Sequence, residues 1–129
     1  MRGAQGKIAL DECPTSTCLT VYVAPWCPHC RATGPLIRAV RENAAFRGVT
    51  TRIVVGMDEQ EAVEKYADEF GPETLLDLQR RFKVGSVPAV YVSDNSGRIL
   101  KEFHGLPESS PPPDSATLRQ IEADFFGLP

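Results

Sequence analysis

Trp26-Cys27-Pro28-His29-Cys30 stands between an apolar run, Leu19-Thr20-Val21-Tyr22-Val23-Ala24, and a helical pattern from Arg31 to Ala45. The run is short, β-branched and aromatic, which suits a strand buried on both faces in mid-sheet. Pro25 ends it, because proline has no N–H to offer a ladder. Pro28 falls in the first helical turn, where a missing N–H costs nothing. Two cysteines spaced this way at a strand-to-helix junction form a dithiol that can open and close as a disulfide. Cys27 is the expected nucleophile: free N–H groups and the macrodipole at a helix start favour the thiolate, the attacking form. His29 can donate a hydrogen bond or carry positive charge beside the sulfur. Cys30 follows one turn later on the same surface, placed to resolve a mixed disulfide by attacking Cys27. Trp26 can cover the dithiol and touch a substrate, or simply pack.

Outward from this stretch, Met1 to Gly6 reads as a loose terminus, and Lys7 to Leu10 as a short edge strand or a helical turn. Asp11 to Thr17 has turn chemistry. On the far side, Gly34-Pro35 should kink the helix, whose apolar face continues through Leu36, Ile37, Val40, Ala44 and Ala45 to a stop near Gly48. Thr50 to Val55 is a second strand. Asp58 to Phe70 is a helix with Ala62, Val63, Tyr66, Ala67 and Phe70 on one face. Gly71-Pro72 breaks it, and a shorter helix is expected from Glu73 to Phe82, with Leu75, Leu78 and Phe82 inward. Val87 to Val92 and Arg98 to Phe103 form a hairpin about Asp94-Asn95-Ser96-Gly97. A Pro/Ser loop, Glu108 to Pro113, leads to a last helix capped by Asp114 or Ser115, with Leu118, Ile121, Phe125 and Phe126 on its apolar face. Parallel pairing of the first two strands needs a right-handed crossover through the Cys27 helix, and the hairpin adds an antiparallel edge.

The 129 residues suffice for one domain with a real core. A hydrophobic fraction of 42%, a charged fraction of 24% and a net charge of -3 are those of an ordinary globular chain, with no basic footprint for nucleic acid. No stretch reaches the roughly 20 apolar residues of a membrane span, and the first residues lack the apolar centre of a signal peptide. As the sequence stands it reads as cytoplasmic; with a leader removed it would be periplasmic or otherwise exported.

Val87-Pro88 is the second chemical signal. Opening a strand in a chain with Cys-x-x-Cys, it is expected to be cis and to leave the Val87 backbone free to pair with an extended substrate. With Trp26-Cys27-Pro28-His29-Cys30, Pro35 eight residues after Cys27, Val87-Pro88, the Asp94 to Gly97 hairpin and Gly105, the chain resembles the thioredoxin superfamily from about Lys7 to Phe126. The resemblance implies an α/β fold with a central mixed four- to five-stranded sheet flanked by helices, in a single domain. It implies a thiol–disulfide oxidoreductase in cell redox homeostasis: Cys27 and Cys30 as the redox-active centre, with Pro28 and His29 tuning it, and Trp26, Val87 and Pro88 meeting substrate. It implies no cofactor and no metal, a monomer, protein disulfide or dithiol substrates, and a partner that recycles the dithiol. Pro28-His29 and Val87 are similar to the bacterial disulfide oxidases; the length, Trp26 and Pro35 are similar to thioredoxin. The chain departs from both at Val21, six residues before Cys27, where relatives carry a buried acid that takes the resolving thiol's proton. Slow resolution is the expected consequence.

Other readings compete. Cys13 and Cys18 can bridge, as a structural or regulatory disulfide, or Cys18 can be a small buried hydrophobe. All four cysteines together could hold zinc. The fold also serves as a redox-silent binding module. His104 is a packed or solvated histidine, or a side chain near the active surface. The acids from Asp58 to Glu61 lack a calcium-loop pattern.

Overall fold

A computed structural model describes residues 13, 15–78, 84, 86–96, 98–105 and 115–124. The readings of residues 1–10, Phe82, Gly97, the Pro/Ser loop, Asp114, Phe125 and Phe126 lie outside these. The elements are β1 (Thr17–Val23), α1 (Pro28–Ala45), β2 (Val49–Gly56), α2 (Gln60–Asp68), β3 (Leu75–Asp77), β4 (Ala89–Asp94), β5 (Ile99–His104) and α3 (Ser115–Asp124). The five strands form one sheet in the order β3-β2-β1-β4-β5.

β1 lies in the middle, as its unbroken apolar character requires. It pairs parallel with β2, Val21 opposite Ile53, and antiparallel with β4, Val21 opposite Val90. From Cys18 to Ala24 every residue is buried. One face carries the main core, where Val21, Val23, Ile53, Val55, Val90 and Val92 meet the apolar sides of all three described helices. The other face carries a smaller cluster of Tyr22, Val54, Leu75, Ala89 and Tyr91. Alternation along each strand divides the residues between the faces.

α1 runs through Pro35 as one helix. Leu36, Ile37, Val40 and Ala44 are buried as expected, but Ala45 is exposed, a quarter turn off the apolar stripe. The helix expected from Glu73 is not there: Leu75–Asp77 is a strand, paired parallel with β2 at Val54 to Gly56. Its leucines obey period two, Leu75 joining the smaller cluster and Leu76 the main core. Leu78, expected inward, is exposed. The open edge of β2 decides the outcome, since a strand there gains a ladder on an existing template. Asp77 gains a buried hydrogen bond as well, accepting the Tyr22 hydroxyl at 2.7 Å. Gly56 makes room for that pair, because a Cβ there would overlap the Tyr22 hydroxyl.

Cys13 and Cys18 are joined by a disulfide with Cα atoms 5.9 Å apart. The Thr15 hydroxyl within this loop donates to the Thr17 carbonyl at 2.7 Å and lies 3.0 Å from the Thr50 hydroxyl, tying the loop to β2. No helix among the described residues is long and apolar enough to cross a membrane.

Candidate active site

The site forms where β1 ends and α1 begins. Cys27 is the residue that caps α1, in an extended conformation, with Pro28 as the first helical residue. Its N–H reaches the Ala24 carbonyl at 3.2 Å, which closes the turn out of β1. Its sulfur accepts the Cys30 N–H at 3.1 Å, so the sulfur does the work of a capping oxygen on one of the orphan donors of the first turn. Both thiols are free, and both are buried, Cys27 to 4% exposure and Cys30 to none.

Cys30 is held as a thiol. Burial, then the hydrogen bond with Cys27, pushes it up to about 12. Val21 is part of the core. The Tyr66 hydroxyl, in the same core, is buried and has no hydrogen-bond partner among the described residues. It too is driven well above the tyrosine range, by burial and then by charge on Cys30. Neither Val21 nor Tyr66 is a ready proton acceptor for Cys30.

Val87 meets the dithiol from the segment just before β4. The Val87-Pro88 peptide bond is cis, and the Cys27 thiol points at the Val87 carbonyl, 3.7 Å away. Pro88 is buried and its carbonyl accepts the Gly105 N–H at 2.7 Å. Gly105 sits at φ 104°, a conformation a side chain would strain. Trp26 is 56% exposed, yet its indole N–H is fixed on the Met57 carbonyl at 2.7 Å. His29 lies half-buried on α1, with its carbonyl accepting the Thr33 hydroxyl at 2.9 Å.

Two residues that brace the site were not singled out from sequence. Arg31 donates from Nε to the Pro25 carbonyl at 2.7 Å, stacks its guanidinium 4.7 Å from the Tyr66 ring centre, and approaches Glu69 at 3.8 Å. It thus ties the turn before Cys27 to α2. Met57 holds Trp26 from a left-handed backbone, φ 63°. Neither shows a periodic or local signal, because each acts on a residue distant in sequence.

The two cysteine pairs sit at opposite ends of β1, Cys18 near its start and Cys27 beyond its finish. At about 3.3 Å per residue the strand between Cys18 and Val23 spans roughly 17 Å, far more than one ion can bridge with ligands about 2.3 Å away. Among the described residues no group of three His, Cys, Asp or Glu converges on a metal position.

Known proteins share this architecture. A thiol:disulfide interchange protein of the thioredoxin family from Chlorobium tepidum superposes with a TM-score of 0.57 at 21% identity, covering 82% of this chain and 77% of that one. MTB dsbF, solved in mixed oxidised and reduced forms, gives 0.58 at 23% identity over 92% of this chain and 84% of its own. A secreted Mycobacterium tuberculosis disulfide oxidoreductase homologous to E. coli DsbE gives 0.56 at 19% identity, over 84% and 81%. In sequence, the Arabidopsis thaliana protein named "Probable nucleoredoxin 1" is 26% identical over 133 aligned positions, which take in 92% of this chain and only 23% of that relative. No family model matches the chain. These likenesses show a shared fold: the chain folds as these thiol:disulfide interchange proteins do.

Proposed function

We propose that the chain is a thiol–disulfide oxidoreductase acting on protein substrates through Cys27 and Cys30. The observation that supports this most is the placing of the Cys27 sulfur: on the N-terminus of α1, accepting the Cys30 N–H, and facing the Val87 carbonyl. The Cys27 thiolate attacks one sulfur of a substrate disulfide. A Cys27–substrate disulfide forms, and the other substrate sulfur leaves as a thiolate. Cys30 then gives up its proton and attacks the Cys27 sulfur, which forms Cys27–Cys30 and releases the second substrate thiolate. Two electrons pass from the dithiol to the substrate; reversal of the same steps oxidises a substrate dithiol. Partner potentials set the direction. Trp26 offers an anchored apolar surface, and Val87-Pro88 a backbone edge, to an extended segment around the substrate cysteine. Pro28 and His29 tune the couple from the first turn. A recycling partner restores the starting state, and no bound cofactor takes part.

We read the Cys13–Cys18 bond as structural, since it closes a loop on β1 and β2 away from the dithiol. A stable bond there fits an oxidising, exported compartment better than a reducing one.

The test is a trapping experiment. Cys30→Ser should accumulate a mixed disulfide with a scrambled disulfide-bonded protein, detected by mass spectrometry on Cys27, and Cys27→Ser should accumulate none. Absence of any adduct on Cys27 would leave a redox-silent binding module as the better reading.

A further inference from the structure

Val87-Pro88 is held from β5 at two points. Gly105 bonds the Pro88 carbonyl through its backbone. His104 holds Ser86 through its side chain: Nδ1 lies 3.1 Å from the Ser86 hydroxyl and 3.3 Å from the Ser86 carbonyl. The other ring nitrogen, Nε2, lies 2.7 Å from Glu102 Oε2. Glu102 is acceptor-only when ionised, and so is the Ser86 carbonyl, so both contacts are satisfied together only when both ring nitrogens carry protons. The order Ser86, His104, Glu102 looks like nucleophile, base and orienter, but an imidazolium with acceptors on both sides has no lone pair for a base's work.

We propose that His104 is a positioning residue for the exchange site: as the imidazolium it bridges Glu102 to Ser86 and clamps the Ser86–Pro88 segment, holding the Val87 edge in place for an extended peptide substrate. This rests on the oxidoreductase reading of Cys27 and Cys30. When the ring is neutral it cannot serve both acceptors, and the Ser86 end loses its charge-assisted hold. The substrate edge is therefore firmer at lower pH.

The surroundings agree. By register, His104 stands opposite Ala89, and Glu102 opposite Tyr91. Among the described residues, the titratable or charged groups on that face are Glu102 from β5, Tyr91 from β4, Tyr22 from β1, which is bonded to Asp77 of β3, and Arg52 from β2, which is three strands from Glu102 and bonded to Thr20. Tyr91 is kept neutral, by burial first and then by the Glu102 charge. Glu102 is thus the charge that governs His104. Its hydrogen bond, and then the Ser86 carbonyl, hold the imidazolium to a pH above the ordinary histidine range. The clamp is complete below that range and weakens as pH rises through the raised value, where a neutral ring loses the Ser86 carbonyl but still accepts the Ser86 hydroxyl.

The experiment is single-turnover reduction of a short glutathionylated peptide by the reduced protein, giving a limiting rate and a half-saturation concentration. At about pH 6, His104→Gln should raise the half-saturation concentration about threefold, the size expected of one exposed charge-assisted contact, with the loss confined to that constant. The difference should shrink as pH rises through the raised value, because the neutral ring keeps only an uncharged bond to the Ser86 hydroxyl. Glu102→Gln should keep the pH step and move it to lower pH. The clamp is also read without turnover, by NMR: the Val87 amide signal should follow the His104 titration in the wild type and stay flat in His104→Gln. Equal half-saturation constants at about pH 6, or a Val87 amide that ignores His104, would overturn the proposal. A wild-type protein that never reacts would refute the oxidoreductase reading, while the Val87 amide would still decide the clamp.

Discussion

Cys30 shares its core with Val21, which cannot accept a proton, and with Tyr66, which holds its own. The thiol is buried, and its proton is held by desolvation and by Cys27. Resolution of a mixed disulfide needs that proton to leave. A carboxylate introduced by Val21→Asp should therefore speed release of a trapped Cys27 adduct, about tenfold as for a modest general base. Burying an acid without a prepared partner should lower stability by roughly 2–4 kcal/mol. Quenched-flow alkylation gives the first quantity and urea unfolding the second; equal release rates would show that Val21 imposes no delay. The dithiol, Pro28 and Pro35 were legible in the sequence, because their chemistry depends on spacing of a few residues; the missing acid at Val21 was legible only through the resemblance to relatives that carry one. Arg31 and Met57 were not. Each works on a partner brought close by the fold, Tyr66 and Glu69 for one and Trp26 for the other.

At the scale of elements, periodicity found what had enough length to show it. β1, α1, β2 and α2 lie where the apolar patterns put them, with ends moved by one or two residues. β3 has only three residues, too few to show a period, and its leucines fitted a helical face equally well. What makes it a strand is the free edge of β2 and the Tyr22–Asp77 pair, neither visible locally. This gives Gly56 a role beyond ending β2. Gly56→Ala would drive a methyl into the Tyr22 hydroxyl and the Asp77 side chain. The expected cost is roughly 2–3 kcal/mol, as for overpacking combined with a broken buried hydrogen bond. Gly56→Ala in a Tyr22→Phe background should cost less, since the hydroxyl it strikes is gone. A full, undiminished cost in the double variant would show that the Tyr22–Asp77 pair is not what Gly56 protects.

Across the whole molecule, burial of Cys30 makes stability depend on pH. The free thiol ionises near 9.0, whereas in the folded protein Cys30 holds its proton to about 12. Below pH 9.0 both states hold the proton and the group contributes no pH dependence. Above it the unfolded chain loses the proton first, so the native state binds more protons and stability falls as pH rises towards the folded value. Tyr66 and Tyr91, both raised by burial, act in the same direction at higher pH. Thermal melts should show Tm falling between about pH 9 and 11, less steeply in Cys30→Ser, which has no thiol to ionise. Equal slopes would mean that Cys30 is solvated in the native state.

The proposed activity stands or falls on a reversible couple between Cys27 and Cys30. The direct test is equilibration of the protein in glutathione buffers of graded potential, with thiols counted by alkylation and mass spectrometry. The account predicts one two-electron transition in which Cys27 and Cys30 close together, separate from Cys13–Cys18, and abolished by Cys27→Ser. A dithiol that stays open across the whole range, or a Cys27 that pairs with Cys13 or Cys18 instead, would contradict it.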